Sequence, residues 1–531
     1  MKLISVLAKP APAGSERPAR TGVANHTHLV RNIDLPDRES HECLIEWVRA
    51  NHVGAIGIGS PWSHRSGLNY RKHEGPERNR YYAGLIDPES VADRDDIEAM
   101  LRSLNETGGP TYYYLDNETP KNRYGHVWHV GFEYQVPAWH DYAQDGRTAF
   151  SDLDPVEDPN PLDPTGRQIR RTYEEVVALQ REAGALSVWA HPTSWWMDGE
   201  KFITNIAADM IPQLIADGYL DGMTVMGYDA YHRDYQRLWF SLLDRGYRIP
   251  GFAELDFCPR KGATAEKGHV LLNYIPGISG APTMEQMKEC FRAARHTPSS
   301  GPDLRLKVDG VDQGGEIPTG AGLRHTVEVV AWPAPGESLL SRVELLGRGG
   351  EILGCAENFP GGTVVFEIAD DDASGYLIAR AFGEHDGDYR SKPHQQVKHC
   401  AITNPVWLVS PAQPRPEPLK TELTILPGAN IGRPFHIVDA AGHELQRGTV
   451  ADAATILVVP ANTRLVIDRA DGSRRVLPLP MANRRLRELM DYLADGVFLQ
   501  DFPNCVPGVV PPEAFRFEEM REALASLTIE A

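Results

Sequence analysis

The chain has 531 residues, of which 41% are hydrophobic and 24% are charged, a composition typical of a soluble globular protein with about three domains. Its formal net charge of −19 argues against nucleic acid or an anionic membrane surface as a partner, because both require a basic face. No apolar run approaches the ~20 residues of a membrane helix, so no membrane-spanning segment is expected.

The cysteines and the N-terminus predict where the chain resides. The six cysteines are spread thinly and form no Cys-x-x-Cys pair. A chain of this length needs no disulfide framework, so a reducing compartment is expected. The apolar stretch from Leu3 to Ala8 is shorter than the ~7 residues of a secretory signal. A cytoplasmic protein is predicted, and the sequence leaves open whether it forms a homo-oligomer.

Two histidines, His26 and His28, end a short predicted strand near the start of the first long domain. Residues i and i+2 of an extended segment point to the same side, so the two imidazoles can act as cis ligands to one metal ion. With 19 histidines in the chain, this spacing also arises by chance. The candidate ligands further along the chain therefore decide between the two interpretations.

Helical and strand-like patterns alternate along the next two hundred residues. A helical pattern over residues 39–51 precedes an apolar strand over residues 55–59. Further amphipathic helices are predicted over residues 88–107, 169–183 and 238–244, each followed by a strand. Such alternation is typical of parallel β/α units.

Polar residues cluster where these predicted strands finish, and the carboxyl ends of strands share one open face in β/α barrels. Imidazole and carboxylate ligands favour Zn, Mn or Fe. Such an ion lowers the pKa of a water molecule to about 7 and polarises a carbonyl or phosphoryl oxygen, which is the chemistry of hydrolysis. The residues at the strand ends are His26, His28, Glu118, His191 and Asp256, with His126 eight residues past Glu118.

The order of these motifs resembles the PHP (polymerase and histidinol phosphatase) metallohydrolase superfamily, and within it the CehA/McbA-type branch. The resemblance covers about residues 20–410. It implies an α/β fold in which a distorted seven-stranded β/α barrel, over residues 1–300, holds one to three metal ions at its strand ends. The matching motifs are His26-Thr-His28, Glu118, Gly125-His126, Ala190-His191-Pro192, Leu242 to Gly246, Asp256, Leu306 to Gly310 and Ile402 to Pro405.

Carried over position by position, the resemblance implies a set of metal ligands, but this chain departs from the family's pattern twice. The superfamily often has Asp-His after the second strand, where this chain has Ser60-Pro61-Trp62, and often ends in Asp-x-His, where this chain has Asp256-Phe257-Cys258. One divalent ion, or two bridged by Glu118, is therefore expected, with Zn or Mn favoured and Fe an alternative. Cys258 is either a thiolate ligand or a small buried residue. The implied ligands are His26, His28, Glu118, His126, His191 and Asp256.

Each candidate ligand also has a purely structural interpretation. His191 can be a core histidine, Glu118 part of a solvated turn, and Asp256 a residue that hydrogen-bonds its own turn. His126 and His129 are alternatives for one ligand, and the glycine before His126 favours that residue.

Aromatic and histidine side chains near the candidate ligands are candidate substrate contacts. Four tryptophans there, Trp196 among them, can form a platform for a sugar or aryl face, or can pack the loops. His64 and His73 can replace the missing ligands, contact the substrate or lie on the surface, and His232 is a candidate proton donor. The predicted substrate contacts are Trp62, His64, Trp128, Trp195 and His232.

From about residue 300 strands replace helices, separated by turns rich in Gly, Pro and Asp. Residues 301–412 are predicted to form an immunoglobulin-like β-sandwich. A proline-rich linker over residues 410–418 precedes residues 419–531, which are predicted to form a small C-terminal domain of strands and helices.

Three functions are compatible with these features. The first is a metal-dependent hydrolase of an ester, amide or carbamate-like bond in a small organic substrate, with Asp256 or Glu118 as general base. The second is a phosphoesterase, and the third is a non-catalytic carbohydrate-binding protein. Basic residues available for a phosphate pocket are Arg65, Arg71, Lys72, Arg78 and Arg80.

Overall fold

The structure is a computed structural model, and strands dominate the part of the chain that it describes, where they form six sheets. No helix in that part is both long enough and apolar enough to cross a bilayer. The described residues are 1–12, 14–28, 45–59, 101–107, 109–121, 125–131, 139–141, 168–170, 179–191, 195–198, 201–204, 220–227, 233–255, 270–371, 375–388, 396–410, 420–439, 442–460, 463–478 and 525–531.

The described part of the chain has fourteen strands up to residue 300, and nine of them form one side of the largest sheet, which has 15 strands. In chain order the strands are β1 (Lys2–Pro10), β2 (Arg20–His28), β3 (Val53–Gly59), β4 (Tyr112–Lys121), β5 (Gly125–Val130), β6 (Trp139–Asp141), β7 (Gln168–Arg170), β8 (Leu186–Ala190), β9 (Trp195–Asp198), β10 (Lys201–Thr204), β11 (Gly222–Met226), β12 (Gly251–Ala253), β13 (Leu272–Pro276) and β14 (Thr297–Ser299). The order across this side is β12-β11-β8-β5-β4-β3-β2-β13-β14.

The pairing within this side of the sheet is mixed. Strands β2, β3 and β4 are parallel neighbours, as are β8, β11 and β12. Strand β5 runs antiparallel to both β4 and β8, and β13 runs antiparallel to β2. The buried strands are short and rich in Val, Ile, Met and Trp, as expected of strands covered on both faces.

Helices α1 (Arg233–Asp244) and α2 (Met284–Arg292) pack near this side of the sheet. Residues 45–50, 101–106 and 179–182 are also helical. Helix α2 begins at a capping box, in which the Thr283 hydroxyl accepts from the Gln286 backbone N–H and the Gln286 side chain accepts from the Thr283 N–H. Its buried face is Met287, Cys290 and Phe291.

Beyond residue 300 the strands continue the large sheet and build a second one. They are β15 (Asp303–Val308), β16 (Val311–Asp312), β17 (Glu316–Pro318), β18 (Arg324–Trp332), β19 (Leu340–Leu346), β20 (Ile352–Phe359), β21 (Gly362–Ala369), β22 (Gly375–Asp388), β23 (Gln396–Ile402) and β24 (Val406–Val409). The second sheet has the order β1-β21-β18-β15-β16, and one apolar core joins its strands to β19, β22 and β24.

The C-terminal strands form two small sheets around their own apolar core. One sheet has the order β28-β25-β31 and the other β27-β26-β29-β30. The strands are β25 (Lys420–Leu426), β26 (Pro434–Val438), β27 (Glu444–Thr449), β28 (Thr455–Pro460), β29 (Arg464–Asp468), β30 (Arg474–Pro478) and β31 (Ala525–Glu530).

The prediction of an α/β fold headed by a seven-stranded β/α barrel was wrong. In the described residues, a β/α barrel of parallel strands is not formed: β4 turns back into the antiparallel β5, and the sheet runs on through β14 into β23 and β22. Hydrophobic periodicity identifies a strand but not the direction of its neighbour, because pairing depends on residues far away in sequence. Residues 169 and 170, predicted as the start of a helix, belong to strand β7.

The first residues of the chain form a regular strand. Strand β1 pairs antiparallel with β21 along its length, from Lys2 opposite Ala369 to Pro10 opposite Gly362. Strand β1 therefore belongs to the second sheet, on the far side of the boundary predicted at residue 300. The three predicted domain ranges remain predictions.

Candidate functional site

Three buried residues meet where β2, β8 and β12 end, and we call them the buried trio: His26, His191 and Glu254. The Glu254 carboxylate accepts a hydrogen bond from His26 Nδ1 at 3.0 Å on one oxygen and from the His191 backbone N–H at 2.7 Å on the other. The side chains of His26 and Glu254 are 1% and 0% exposed. A buried carboxylate is costly unless it accepts hydrogen bonds, so these two donors hold His26 and His191 next to Glu254.

The two imidazoles of the buried trio lie face to face. Their ring centroids are 5.6 Å apart with 28° between the planes. The Trp128 ring also stacks on His26, with ring centroids 6.2 Å apart, and meets Phe252 edge-on at 5.6 Å. Trp128 is fully buried, which favours packing over a substrate platform for this residue.

Both histidines of the trio have left-handed backbone conformations, with φ of 57° at His26 and 23° at His191. Residues with a Cβ adopt this region at a cost of roughly 1–2 kcal/mol. At His26 the cause is a bulge, because two residues of β2 between Ala24 and Thr27 stand opposite Gly57 alone. The simple alternation that relates His26 to His28 in the sequence therefore does not apply across this bulge.

Asp116 supports His26 from the neighbouring part of the sheet. Its Oδ2 accepts a hydrogen bond from the His26 backbone N–H at 2.8 Å, and the residue is 1% exposed. Tyr114, two residues earlier on β4, accepts from Asn25 Nδ2 at 2.5 Å. Burial, with a smaller contribution from the Asp116 charge, raises the pKa of Tyr114 well above its usual value, so this phenol stays protonated.

Three predicted ligands have described backbones, although their side chains lie outside the described part. His28 ends β2 opposite Gly59. Glu118 pairs with Trp128, and His126 pairs with Ala190, the residue before His191. Strand β4 continues to Lys121, so Glu118 lies within a strand, and the interpretation of it as a turn residue was wrong.

His129, the alternative to His126, has a different environment. Its Nδ1 lies 3.0 Å from Ser187 Oγ, and both residues are fully buried between β5 and β8. His129 therefore belongs to a polar pair inside the sheet.

The other predicted residues either have a described backbone alone or lie outside the described part of the chain. Trp195 and Trp196 have described backbones in β9. The residues that lie outside the described part of the chain are Asp256, Cys258, Trp62, His64, His73, His232 and the basic residues between 65 and 80.

Sequence reasoning missed the two carboxylates that the structure brings to His26. Glu254 lies two residues before the predicted ligand Asp256, and Asp116 lies two residues before Glu118. Residues two apart on a strand face the same side. Their spacing from Asp256 and Glu118 was therefore a signal that Glu254 and Asp116 were also candidate site residues.

The donor atoms of the buried trio and Asp116 are of the kind that Zn, Mn and Fe accept, namely imidazole nitrogen and carboxylate oxygen. Within the described residues, no three His, Cys, Asp or Glu side chains are arranged to hold an ion by themselves. A complete shell would therefore need the predicted ligands whose side chains lie outside that part.

Comparison with known proteins identifies no relative. No family model matches the chain, and no curated protein matches it. Solved structures similar to parts of it include two of BcpA, the major pilin subunit of Bacillus cereus, at 11% and 9% identity, and the Bacillus anthracis TIE protein at 12%. They match 35%, 44% and 43% of this chain and 65%, 71% and 41% of their own. The chain spans just under two thirds of the first pilin structure, and each TM-score is 0.14, too low to identify a shared fold.

Proposed function

We propose that this protein is a metal-dependent hydrolase that cleaves an ester, amide or carbamate-like bond in a small organic substrate. The observation that carries the proposal is the hydrogen bond from His26 Nδ1 to the buried Glu254 carboxylate, beside the His191 ring. Metal-ligating histidines almost always donate their second ring N–H to a carboxylate, a carbonyl or water.

The tautomer of His26 fits a metal ligand. When Nδ1 carries the proton that Glu254 accepts, the neutral ring has its lone pair on Nε2, which is the form that binds metals. His26 and His191 would hold the ion together with side chains from the predicted set His28, Glu118, His126 and Asp256. A divalent ion such as Zn or Mn would supply Lewis acidity to the reacting carbonyl and a nucleophilic water at neutral pH.

The protein's own residues have separate roles in this proposal. Glu254 fixes the orientation and tautomer of His26 through the 3.0 Å hydrogen bond. Asp116 fixes the backbone of the same residue through its N–H. Either Asp256 or Glu118 serves as the general base that takes a proton from the attacking water. The burial of the trio strengthens each of these electrostatic interactions, because the surrounding dielectric is low.

Metal content and hydrolysis test the proposal together. Metal per chain would be measured by elemental analysis in the native protein, in His26→Ala and in the control His436→Ala, which changes a histidine of the C-terminal strand β26. We expect stoichiometric Zn or Mn in the native protein and the control, and loss of most of it in His26→Ala. Full retention in His26→Ala would contradict the proposal.

The substrate class is tested with p-nitrophenyl acetate and p-nitrophenyl phosphate, each with and without added metal. Metal-dependent cleavage of the acetate supports the hydrolase proposed here. Cleavage of the phosphate alone would instead identify a phosphoesterase. Absence of metal together with retained affinity for sugars would identify a carbohydrate-binding protein.

A further inference from the structure

Strand β12 leads directly into Glu254, and its two edges are bonded in different ways. One edge pairs with β11. At the other edge, Asn404 Oδ1 accepts from the Gly251 N–H at 2.7 Å, and Asn404 Nδ2 donates to the Gly251 carbonyl at 3.3 Å. Asn273 repeats this pattern at Ala253, with both distances 2.8 Å. Two side-chain amides therefore replace a neighbouring strand.

Each amide makes a further hydrogen bond, but to a different part of the chain. Asn404 Nδ2 donates to the His296 carbonyl at 3.0 Å, whereas Asn273 reaches the residue before His26. Asn273 Nδ2 donates to Asn25 Oδ1 at 3.0 Å. Asn25 is the residue before His26, and Ala253 is the residue before Glu254. One amide group thus joins Asn25 and Ala253, the residues immediately before His26 and Glu254.

We infer that Asn273 is a positioning residue that sets the separation between β2 and β12 at which His26 meets Glu254. Asn273 is fully buried and Asn25 is 1% exposed, and a satisfied amide network in low dielectric is rigid. On the other side of Glu254, the Leu255 N–H donates to the Asn25 carbonyl at 3.2 Å, so Glu254 is flanked by two connections to β2. The inference deepens the proposed function and rests on it in one respect, because a metal affinity is one of its two readouts.

The test compares Asn273→Ala and Asn273→Asp with the matched control Asn404→Ala. The aspartate variant has nearly the same size as asparagine and keeps an acceptor for the Ala253 N–H, so it remains informative if Asn273→Ala does not fold. It removes the donor to Asn25 and to the Ala253 carbonyl. The control removes the amide of Asn404, which bonds β12 at Gly251, two residues before Ala253. The first readout is the ¹⁵N chemical shifts of the His26 ring, which report whether Nδ1 carries the proton. The second is the dissociation constant for Zn²⁺.

We expect the native protein and Asn404→Ala to share one His26 ring signature with the proton on Nδ1. In both Asn273 variants we expect a mixture of tautomers and Zn²⁺ binding weaker by about 10–100-fold. An equal change in Asn404→Ala, or no change in the Asn273 variants, would overturn the inference. If the native protein binds no Zn²⁺ but its His26 signature still depends on Asn273, the positioning role stands and the proposed function fails.

Discussion

Glu254 Oε2 lies 3.0 Å from His26 Nδ1, and this buried contact joins residues that are 228 positions apart. Both groups have lost their water, so the removal of either partner leaves a buried polar group without its counterpart. That cost is about 1–3 kcal/mol for a neutral group and more for a charged one. The pair is therefore both a structural connection and the part of the site most sensitive to substitution.

Glu254→Gln should weaken metal binding without unfolding the protein. An amide offers one acceptor oxygen, so it cannot accept from both His26 Nδ1 and the His191 N–H, as the carboxylate does. We expect Zn²⁺ affinity to fall by about 10–100-fold. Competition against a chelating dye measures the affinity, with Glu444→Gln, a partly exposed carboxylate on β27, as the control. Unchanged affinity in Glu254→Gln would argue that the carboxylate has no role in orienting His26.

His26→Gly should be more stable than His26→Ala. Glycine in a strand is normally less stable than alanine by about 0.5–1 kcal/mol. At a φ of 57° the order reverses, because the alanine Cβ clashes with its own backbone at a cost of roughly 1–2 kcal/mol. Both variants lack the imidazole, so the difference isolates the backbone. Urea unfolding of the two variants gives that difference, and an alanine variant of equal or greater stability would show that the bulge relaxes in solution.

Gly57→Ala should disturb Asp116. A Cβ at this position would lie 2.6 Å from Asp116 Oδ2 and 2.7 Å from Tyr114 Cε2, so one of these side chains must move. We expect a loss of about 1–3 kcal/mol in the free energy of unfolding. Gly109→Ala is the matched control, because its Cβ would have no atom within 4 Å. Equal stabilities of the two variants would contradict the close approach.

His296 should make the protein less stable as the pH falls. Burial against Phe252 and Phe291 lowers the pKa of His296 to about 3. The unfolded chain binds a proton near pH 6.5 and the folded protein does not, so below pH 6.5 protonation favours the unfolded state. The stability of the native protein relative to His296→Gln should fall by about 1.4 kcal/mol between pH 7.5 and pH 5.5.

Urea unfolding at the two pH values measures this change. His443 provides a comparison of opposite sign, because its hydrogen bond to Asp439 raises its pKa, with the Asp439 and Glu182 charges adding to the effect. Its contribution to stability is present at low pH and is lost as the pH rises through the raised pKa. If His296→Gln showed the same pH dependence as the native protein, His296 would have to be protonated in the folded state.

Cys290 and Cys400 should resist alkylation in the folded protein. Burial raises the pKa of each thiol to about 12, so little of the reactive thiolate forms at pH 8. Cys355, which is partly exposed on β20, serves as the internal control. Peptide mass spectrometry after iodoacetamide treatment should show labelling of Cys355 first and of the buried pair only after denaturation. Rapid labelling of Cys400 in the native protein would show that its surroundings open.

Local patterns in the sequence identified many strands but not their arrangement. The apolar stretch over residues 55–59 predicted a strand, and these residues lie within β3 (Val53–Gly59). The antiparallel direction of β5 had no local signal, because it arises from partners on β4 and β8. The barrel prediction failed at this step, where strand direction had to be assumed.

The sequence selected two residues of the buried trio but not the third. His26 and His191 were chosen from the sequence, and the structure brings their rings together. Glu254 was passed over because its importance lies in burial and in a partner 228 residues away, and neither is visible in a local pattern. Asn273 is a similar case, since an asparagine in a strand gives no sign that it bonds the edge of another strand.

The pairing of β1 with β21 sets an order of events during synthesis. Lys2 and Ala369 are partners in this ladder. At about 5–20 residues per second, a ribosome adds the second partner tens of seconds after the first. For that interval β1 is a tethered segment with no native neighbour, and Ile4 and Leu7 remain exposed on it even in the folded protein. The second sheet can therefore close only after most of the chain has been synthesised, and β1 is accessible to nascent-chain chaperones throughout that interval.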